Sequence, residues 1–310
     1  MLISYVIPAF NAASTIRQTL DSVFQYDLPN SWQVEAIVVD DGSDDGYELA
    51  AVVAQFPDAQ LVVHEKNKGM CAGRNTGIAA SHGDIVTILD SDDELVGEWP
   101  LVLEEIVKEW PTDTNLCYAA CENLKGEITA EDPDYQGYLT LNDILNERHS
   151  GEYIPLFRGE YVRNKPYIDI GTRKSGGVVS YVNYALDSSI WVTSRVLRIY
   201  HDARVGSVSH GWMSPNKAAE TVICYKVLFE KYGSLYQNEA PRIYKTKLLR
   251  YAVYLKLAGT SGSWSTWKKG ASLSVIKDSV GAALILIFGA SFGASIVEIA
   301  KKIGAVRRYG

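Results

Sequence analysis

The sequence predicts an α/β protein: a mixed, mostly parallel sheet flanked by helices, followed by a helical C-terminal region. Three observations carry that prediction. Short apolar runs alternate with amphipathic stretches through the first hundred residues, the pattern of strand–helix–strand units joined by right-handed crossovers. Two of those runs, 36–39 and 85–89, stop abruptly in carboxylates, at Asp40 and Asp41 and again at Asp90, Asp92 and Asp93. Buried parallel strands deliver polar groups to their carboxyl edge in this way, where ligands bind. Beyond residue 215 the strand pattern gives way to helical periodicity.

Taken in order, Tyr5, Val6 and Ile7 belong to a first strand that runs into the loop Pro8, Ala9, Phe10 and Asn11. Ser14 can cap a helix over 15–25 with Ile16, Leu20 and Val23 on one face. A second strand over 36–39 meets Asp40 and Asp41; a helix and a third strand, 60–63, follow. The turn Asn67, Lys68, Gly69 leads into a helix over 71–80 that carries Arg74. The fourth strand, 85–89, ends at Asp90. A helix is expected over 101–110, a strand over 116–120 and a polar excursion over 122–138. Gly176 and Gly177 permit close backbone approach, and a helix is expected over 188–200, directly after Asp187.

The chemistry suggested first is that of hard oxygen ligands. Asp90 and Asp92 stand two apart at a strand end, with Ser91 between them, so both can reach one cation. Carboxylates suit Mg²⁺ or Mn²⁺, which are commonly shared with substrate phosphates. The same residue types also build ordinary turns. A net charge of -7 and a pI near 5.3 argue against a nucleic-acid partner. The four cysteines form no disulfide or zinc framework, and the first residues lack a signal-peptide pattern, so a cytoplasmic protein is expected.

Four segments in register, Val6 to Asn11, Val39 to Ser43, Asn67 to Asn75 and Leu89 to Asp93, resemble family 2 glycosyltransferases of the GT-A fold. The resemblance is close over the first hundred residues and looser to residue 215. It implies a catalytic domain over 1–215, with a nucleotide-sugar half at 1–98 and an acceptor half at 99–215, and a helical region over 216–310. It implies that Pro8, Ala9 and Phe10 approach a base and that Asp40 or Asp41 accepts the uracil imide N–H. Lys68, Gly69 and Arg74 would lie at the diphosphate, and Asp90, Ser91 and Asp92 at a divalent cation, with His210 as a third ligand. Relatives carry Glu-Asp at a helix start near residue 187. This chain has Leu186 and Asp187, and Asp187 is the expected base for an inverting transfer, with Asp169 as the fallback.

The implied reaction moves a sugar from a UDP-sugar to a hydroxyl of a glycan or polyprenyl-linked glycan in surface polysaccharide biosynthesis. Two other classes stay open: a non-catalytic sugar-nucleotide-binding or membrane-assembly protein, and a nucleotidyl or phosphoryl transferase. The latter is weakened by the absence of a Gly-x-x-x-x-Gly-Lys-Ser/Thr loop. Residues 279–297 are uncharged, and as one helix would measure about 28 Å. Lysines and arginines flank that run on both sides, which opposes a simple crossing and favours peripheral contact with the inner face of the plasma membrane through 264–310. A buried helix in a bundle or a homo-oligomer interface is the other reading of the same run.

Overall fold

The computed structural model describes residues 1–173, 176–201 and 215–289. The chain divides into two units. One holds Met1–Leu141 and His149–Asp202; the other holds Asn142–Arg148 and Ala203–Gly310. A short segment from the middle of the α/β region thus groups with the helical unit; the expected boundary at 215 adjoins residues outside those described.

The first unit begins with β1 (Leu2–Ala9), α1 (Ile16–Phe24), β2 (Gln33–Asp40), α2 (Gly46–Val53), β3 (Ala59–Val63), α3 (Met70–Ala80) and β4 (Ile85–Ile88). It continues with β5 (Glu94–Leu95), α4 (Trp99–Glu109), β6 (Leu116–Asn123), β7 (Gly137–Leu139) and α5 (Leu141–Leu145), which runs into the second unit. It closes with β8 (Tyr153–Arg158), α6 (Gly159–Asn164), α7 (Gly177–Ala185) and β9 (Ile190–Tyr200). The sheet order is β3-β2-β1-β4-β8-β6-β9-β5, with β7 also paired to β9. The first four strands are parallel; β8 is antiparallel to both its neighbours, and β9 runs parallel to β6. The expected mixed, mostly parallel sheet is therefore present.

Alternation along the strands decides what packs where. Ile3, Tyr5 and Ile7 of β1 and Ala36 and Val38 of β2 share a core with Ile16, Leu20 and Val23 of α1 and with Trp99, Leu103 and Ile106 of α4. Tyr5 meets Trp99 edge-on at 5.2 Å. On the other face α3 lies almost on the backbone: a Cβ at Gly77 would stand 2.3 Å from Val6 Cγ1. That close approach fixes α3, and hence Arg74, against β1.

The largest departure from expectation is at 188–200, which forms β9 rather than a helix. Apolar spacing alone does not separate a helix from a buried strand. The β-branched residues Ile190, Val192, Thr193, Val196 and Ile199 favour the strand, where such side chains pack well. The helix of this region lies earlier, as α7, and starts at Gly177.

The second unit is helical: α8 (Pro215–Glu239), α9 (Pro241–Leu257), α10 (Ser263–Gly270) and α11 (Ile276–Phe288). α11 stops at Gly289, whose φ of 84° is left-handed; residues 290–297 of the expected helix lie outside the described residues. Among the described residues no single helix is long and apolar enough to cross a membrane. The inserted segment is tied in by charge. Lys247 of α9, only 5% exposed, bonds Glu147 at 2.5 Å and lies 5.3 Å from the Tyr236 ring centre.

Burial alone would raise the Glu147 carboxyl. The Lys247 ammonium and its hydrogen bond, with Arg250, outweigh that and hold it below its usual range. A depressed folded-state pKa adds stability above the ordinary carboxylate range and loses it as pH falls. Glu147→Gln is therefore expected to lower stability at pH 7 by about 1–2 kcal/mol, less than for a fully buried pair because Glu147 is water-screened. The deficit should shrink below pH ~4 when urea midpoints of wild type and variant are compared across pH.

Candidate active site

The site forms at the carboxyl edge of the parallel strands. β2 ends at Asp40, and the chain turns through Asp41 and Gly42 into α2. The two adjacent carboxylates have different surroundings. Asp41 is saturated: Oδ1 accepts the Lys68 N–H at 2.8 Å and faces His64 Nδ1 at 2.7 Å, while Oδ2 accepts the Gly69 N–H at 2.8 Å. His64 in turn meets Thr76 Oγ1 of α3 at 2.9 Å. Asp41 thus holds the turn before α3. Gly69 has φ 95°, and a Cβ there would stand 2.2 Å from the Thr172 carbonyl oxygen, so this turn tolerates only glycine. Asp40 accepts the Ser43 N–H at 2.9 Å through Oδ1, and is the less committed of the two. The loop of Pro8, Ala9 and Phe10 lies at the same edge, as β1 pairs Ala9 with Asp40, and Phe10 is 47% exposed. Lys68 takes part through its backbone; its side chain is exposed.

β4 delivers the second cluster. Asp90 and Asp92 are half-buried, as is Ser91, and Asp93 is buried. Asp90 stands between two arginines: Arg74 Nη2 is 3.6 Å from Oδ1, and Arg198 Nη1 is 3.8 Å from Oδ2. Arg74 is 12% exposed, sits 5.3 Å from the Tyr167 ring centre, and its Nε has no hydrogen-bond partner among the described residues. Arg198, on β9, is 5% exposed. It also pairs with Asp93 at 3.2 Å and with Glu152 at 3.6 Å, and its Nε donates to Cys121 Sγ at 3.2 Å. Burial opposes its charge, and the Cys121 sulfur with Asp93, Asp90 and Glu152 more than restores it. Burial pushes the Asp93 carboxyl up to about 7 against the pull of Arg198, and Asp90 adds to that rise.

Arg198 reaches this cluster through an irregular register. β6 pairs Ala119 with Thr193, Ala120 with Val196 and Cys121 with Arg198, so β9 gains residues against β6. Bulges of this kind re-aim side chains near sites. Arg195, in the looped-out stretch, points instead to Glu109 of α4, which accepts from its Nε at 3.1 Å.

Glu152 comes from the opposite direction. β8 runs antiparallel to β4 with Thr87 facing Leu156. Continuing that register past the strand ends sets Tyr153 and Glu152 opposite Asp90 and Ser91. Glu152 is 44% exposed. Beside it Tyr153 stacks on Tyr118 at 5.5 Å, and Tyr181 of α7 stands edge-on to Tyr118 at 5.5 Å. These rings form an aromatic wall next to the acids.

Asp187 is not brought to this edge. It follows α7 and precedes β9, and β9 starts beside the start of β6, at the far end of the sheet from Asp90. It accepts from Tyr161 Oη at 2.8 Å and pairs with Lys165. The little burial it has would raise its carboxyl; Lys165 and Tyr161 outweigh this and hold it low, which weakens it as a base. The expected helix over 188–200 put Asp187 at a helix start; in the structure β9 follows it instead, and α7 begins at Gly177 with no acid in its first turn. Asp169, the fallback, is exposed in the loop before α7, with Oδ1 accepting the Gly171 N–H. His210 lies outside the described residues.

Whether a divalent cation suits this edge can be tested on the donor set. Asp90 and Asp92 offer hard oxygens, and the arginine contacts to Asp90 are ion pairs longer than hydrogen bonds, which leaves its oxygens able to ligate. Asp90, Asp92, Asp93 and Glu152 outnumber Arg74 and Arg198, so acid is in excess. Among the described residues no group of three His, Cys, Asp or Glu side chains is placed to hold a metal. Two carboxylates with remaining positions filled by phosphate and water is how Mg²⁺ sites are commonly built, and the residues fit that arrangement.

The model of the family described as Glycosyl transferase family 2 matches residues 4–149. Glycosyltransferase GlyG of Streptococcus pneumoniae is 34% identical over 224 residues, covering 67% of this chain and 72% of that protein. The chain belongs to glycosyl transferase family 2. The GalNAc(5)-diNAcBac-PP-undecaprenol beta-1,3-glucosyltransferase of Campylobacter jejuni is 23% identical, over 83% of each chain. S. aureus TarS 1-349, solved in complex with UDP-GlcNAc, superposes with a TM-score of 0.59 at 16% identity, over 91% of this chain and 79% of that one. That likeness shows the GT-A fold. The chain spans only 16% and 63% of the length of two other curated relatives.

The sequence patterns single out neither Arg198 nor Glu152, which join Asp90 in one ion-pair cluster. The available signal was the strand character of 190–200, which puts residues of β9 in reach of the β4 edge. Arg198→Met is expected to destabilise the protein by about 3–5 kcal/mol, because Asp93 stays buried beside other acids without its partner. Adding Asp93→Asn to that variant should recover a large part of the loss. Denaturant midpoints of the three proteins check both steps.

Proposed function

We propose that this protein is an inverting, metal-dependent glycosyltransferase. It moves a sugar from a UDP-sugar to a hydroxyl of a glycan or lipid-linked glycan in surface polysaccharide biosynthesis. The observation that carries the reading is the edge where Asp90, between Arg74 and Arg198, follows β4, on the far side of β1 from Asp40 at the end of β2. Family membership supports the reaction class, and the UDP-GlcNAc complex of TarS supports the donor class.

Asp40, the less committed carboxylate, accepts the imide N–H of the base, while Asp41 keeps the Lys68–Gly69 turn in shape. Phe10 and Pro8 flank the base. Arg74, fixed by the α3–β1 packing, faces the diphosphate, where a guanidinium gives paired, charge-assisted donors. Asp90 and Asp92 would hold the cation, Mn²⁺ or Mg²⁺, which when bound offsets charge building on the leaving diphosphate.

With Asp187 at the far end of the sheet, Glu152 is the carboxylate best situated to serve the acceptor. The acceptor oxygen attacks the anomeric carbon as the bond to the diphosphate oxygen breaks, and the hydroxyl proton passes to Glu152. Displacement from the opposite face inverts the centre. Arg198 holds Glu152 and Asp90 in one constellation. The acid-free start of α7 favours a second reading, a sugar-nucleotide-binding protein without turnover.

Calorimetry of UDP with and without Mn²⁺ tests the donor site. Binding should require the metal, and Asp92→Ala should weaken it at least tenfold. No heat with or without Mn²⁺ would sink the donor assignment. Turnover is tested by release of UDP from a panel of UDP-sugars with water as acceptor. Glu152→Gln should cut that rate about 10²-fold or more with UDP affinity kept, and Asp187→Asn should stay within about twofold of wild type. UDP binding with no release from any sugar would favour the non-catalytic reading.

A further inference from the structure

In the helical unit, α11 carries two apolar faces. Val275, Ala282 and Leu286 are buried, the first two against Leu249 and Val253 of α9. The other face is exposed among the described residues. Leu273, just before the helix, is 87% exposed, Ile276 53%, Val280 54% and Ile287 60%. At 100° per residue these side chains fall on one stripe along the axis. Large aliphatic side chains in one continuous exposed stripe mark an interaction surface.

The stripe is held rigidly. Trp267 of α10 donates its indole N–H to the Ser279 carbonyl at 2.9 Å, and a Cβ at Gly270 would stand 2.9 Å from the Lys245 carbonyl oxygen. Next to Trp267, Trp264 is 43% exposed with its ring 5.7 Å away. Charge identifies the occupant. Lys268, Lys269 and Lys277 are exposed, while Asp278 is the one acid over 263–289 and accepts the Thr246 hydroxyl at 3.0 Å. The chain as a whole carries -7, so this is a cationic segment on an acidic protein.

We propose that α11 docks in the plane of an anionic lipid bilayer, with Leu273, Ile276, Val280 and Ile287 among the acyl chains and the lysines at the headgroups. At 13 residues the helix is about 20 Å long, short of the ~30 Å hydrocarbon core, so it lies on the membrane rather than crossing it. Exposed tryptophan and lysine around an apolar stripe suit that interface. A second copy of the chain is the poorer occupant, because the cores of protein interfaces are depleted in lysine. The inference stands independently of the donor site.

The test is flotation of the full chain with vesicles of phosphatidylcholine alone and with added phosphatidylglycerol, alongside light scattering. The protein should float with the anionic vesicles and not the neutral ones, and salt should weaken it. Ile276→Asp with Val280→Asp should reduce binding at least tenfold with an unchanged circular dichroism melt. Lys268→Glu with Lys269→Glu, which spares the packing of α11, should reduce it at least fivefold. Equal flotation of all three proteins would overturn the proposal. So would a dimer in solution that the Asp variant dissociates, which would give the face to a second copy.

Discussion

One buried guanidinium organises the catalytic edge. Arg198 is nearly excluded from water and is surrounded by Asp90, Asp93 and Glu152, which come from the β4 and β8 sides of the sheet. Three carboxylates that close would repel one another, and Asp93 could not be buried as an anion without a partner. Arg198 makes the cluster affordable, and its reach depends on the irregular pairing of β9 with β6. The bulge, the arginine and the acids therefore form one unit, and the geometry of the crevice rests on a strand distant in sequence from the acids it supports.

The donor half is built on more local logic. Asp41 spends its carboxylate on two backbone N–H groups and His64, which shapes the turn that starts α3. Gly77 lets α3 settle against Val6, and Arg74 is aimed from that helix at Asp90. Adjacent aspartates thus differ in their partners: Asp41 anchors the Lys68–Gly69 turn and Asp40 accepts from Ser43. Nothing in the residue types separates Asp40 from Asp41; the difference is which one meets the Lys68–Gly69 turn.

The helical unit shows the same dependence on context. An uncharged run reads as a spanning helix when only composition is seen. In three dimensions one arc of α11 is consumed by α9 and the other is left outside, and Gly289 ends the helix after 13 residues.

The sequence by itself determined the alternating α/β order, the strands at β1, β2 and β4, and the positions of Asp40, Asp41, Asp90 and Asp92 at or just past strand ends and of Arg74 on α3. These are legible because buried strands are short apolar runs and their acids stand directly at the strand ends. Only the tertiary structure decided the rest. β9 was hidden because apolar spacing over 188–200 fits a helix or a strand, and with the helix went the placement of Asp187. Arg198 and Glu152 join Asp90 through sheet register, a relation between residues 108 and 62 positions apart that no local pattern encodes. Pairing, burial and long-range charge decide which acid is held low, which is pushed up and which is left open to react.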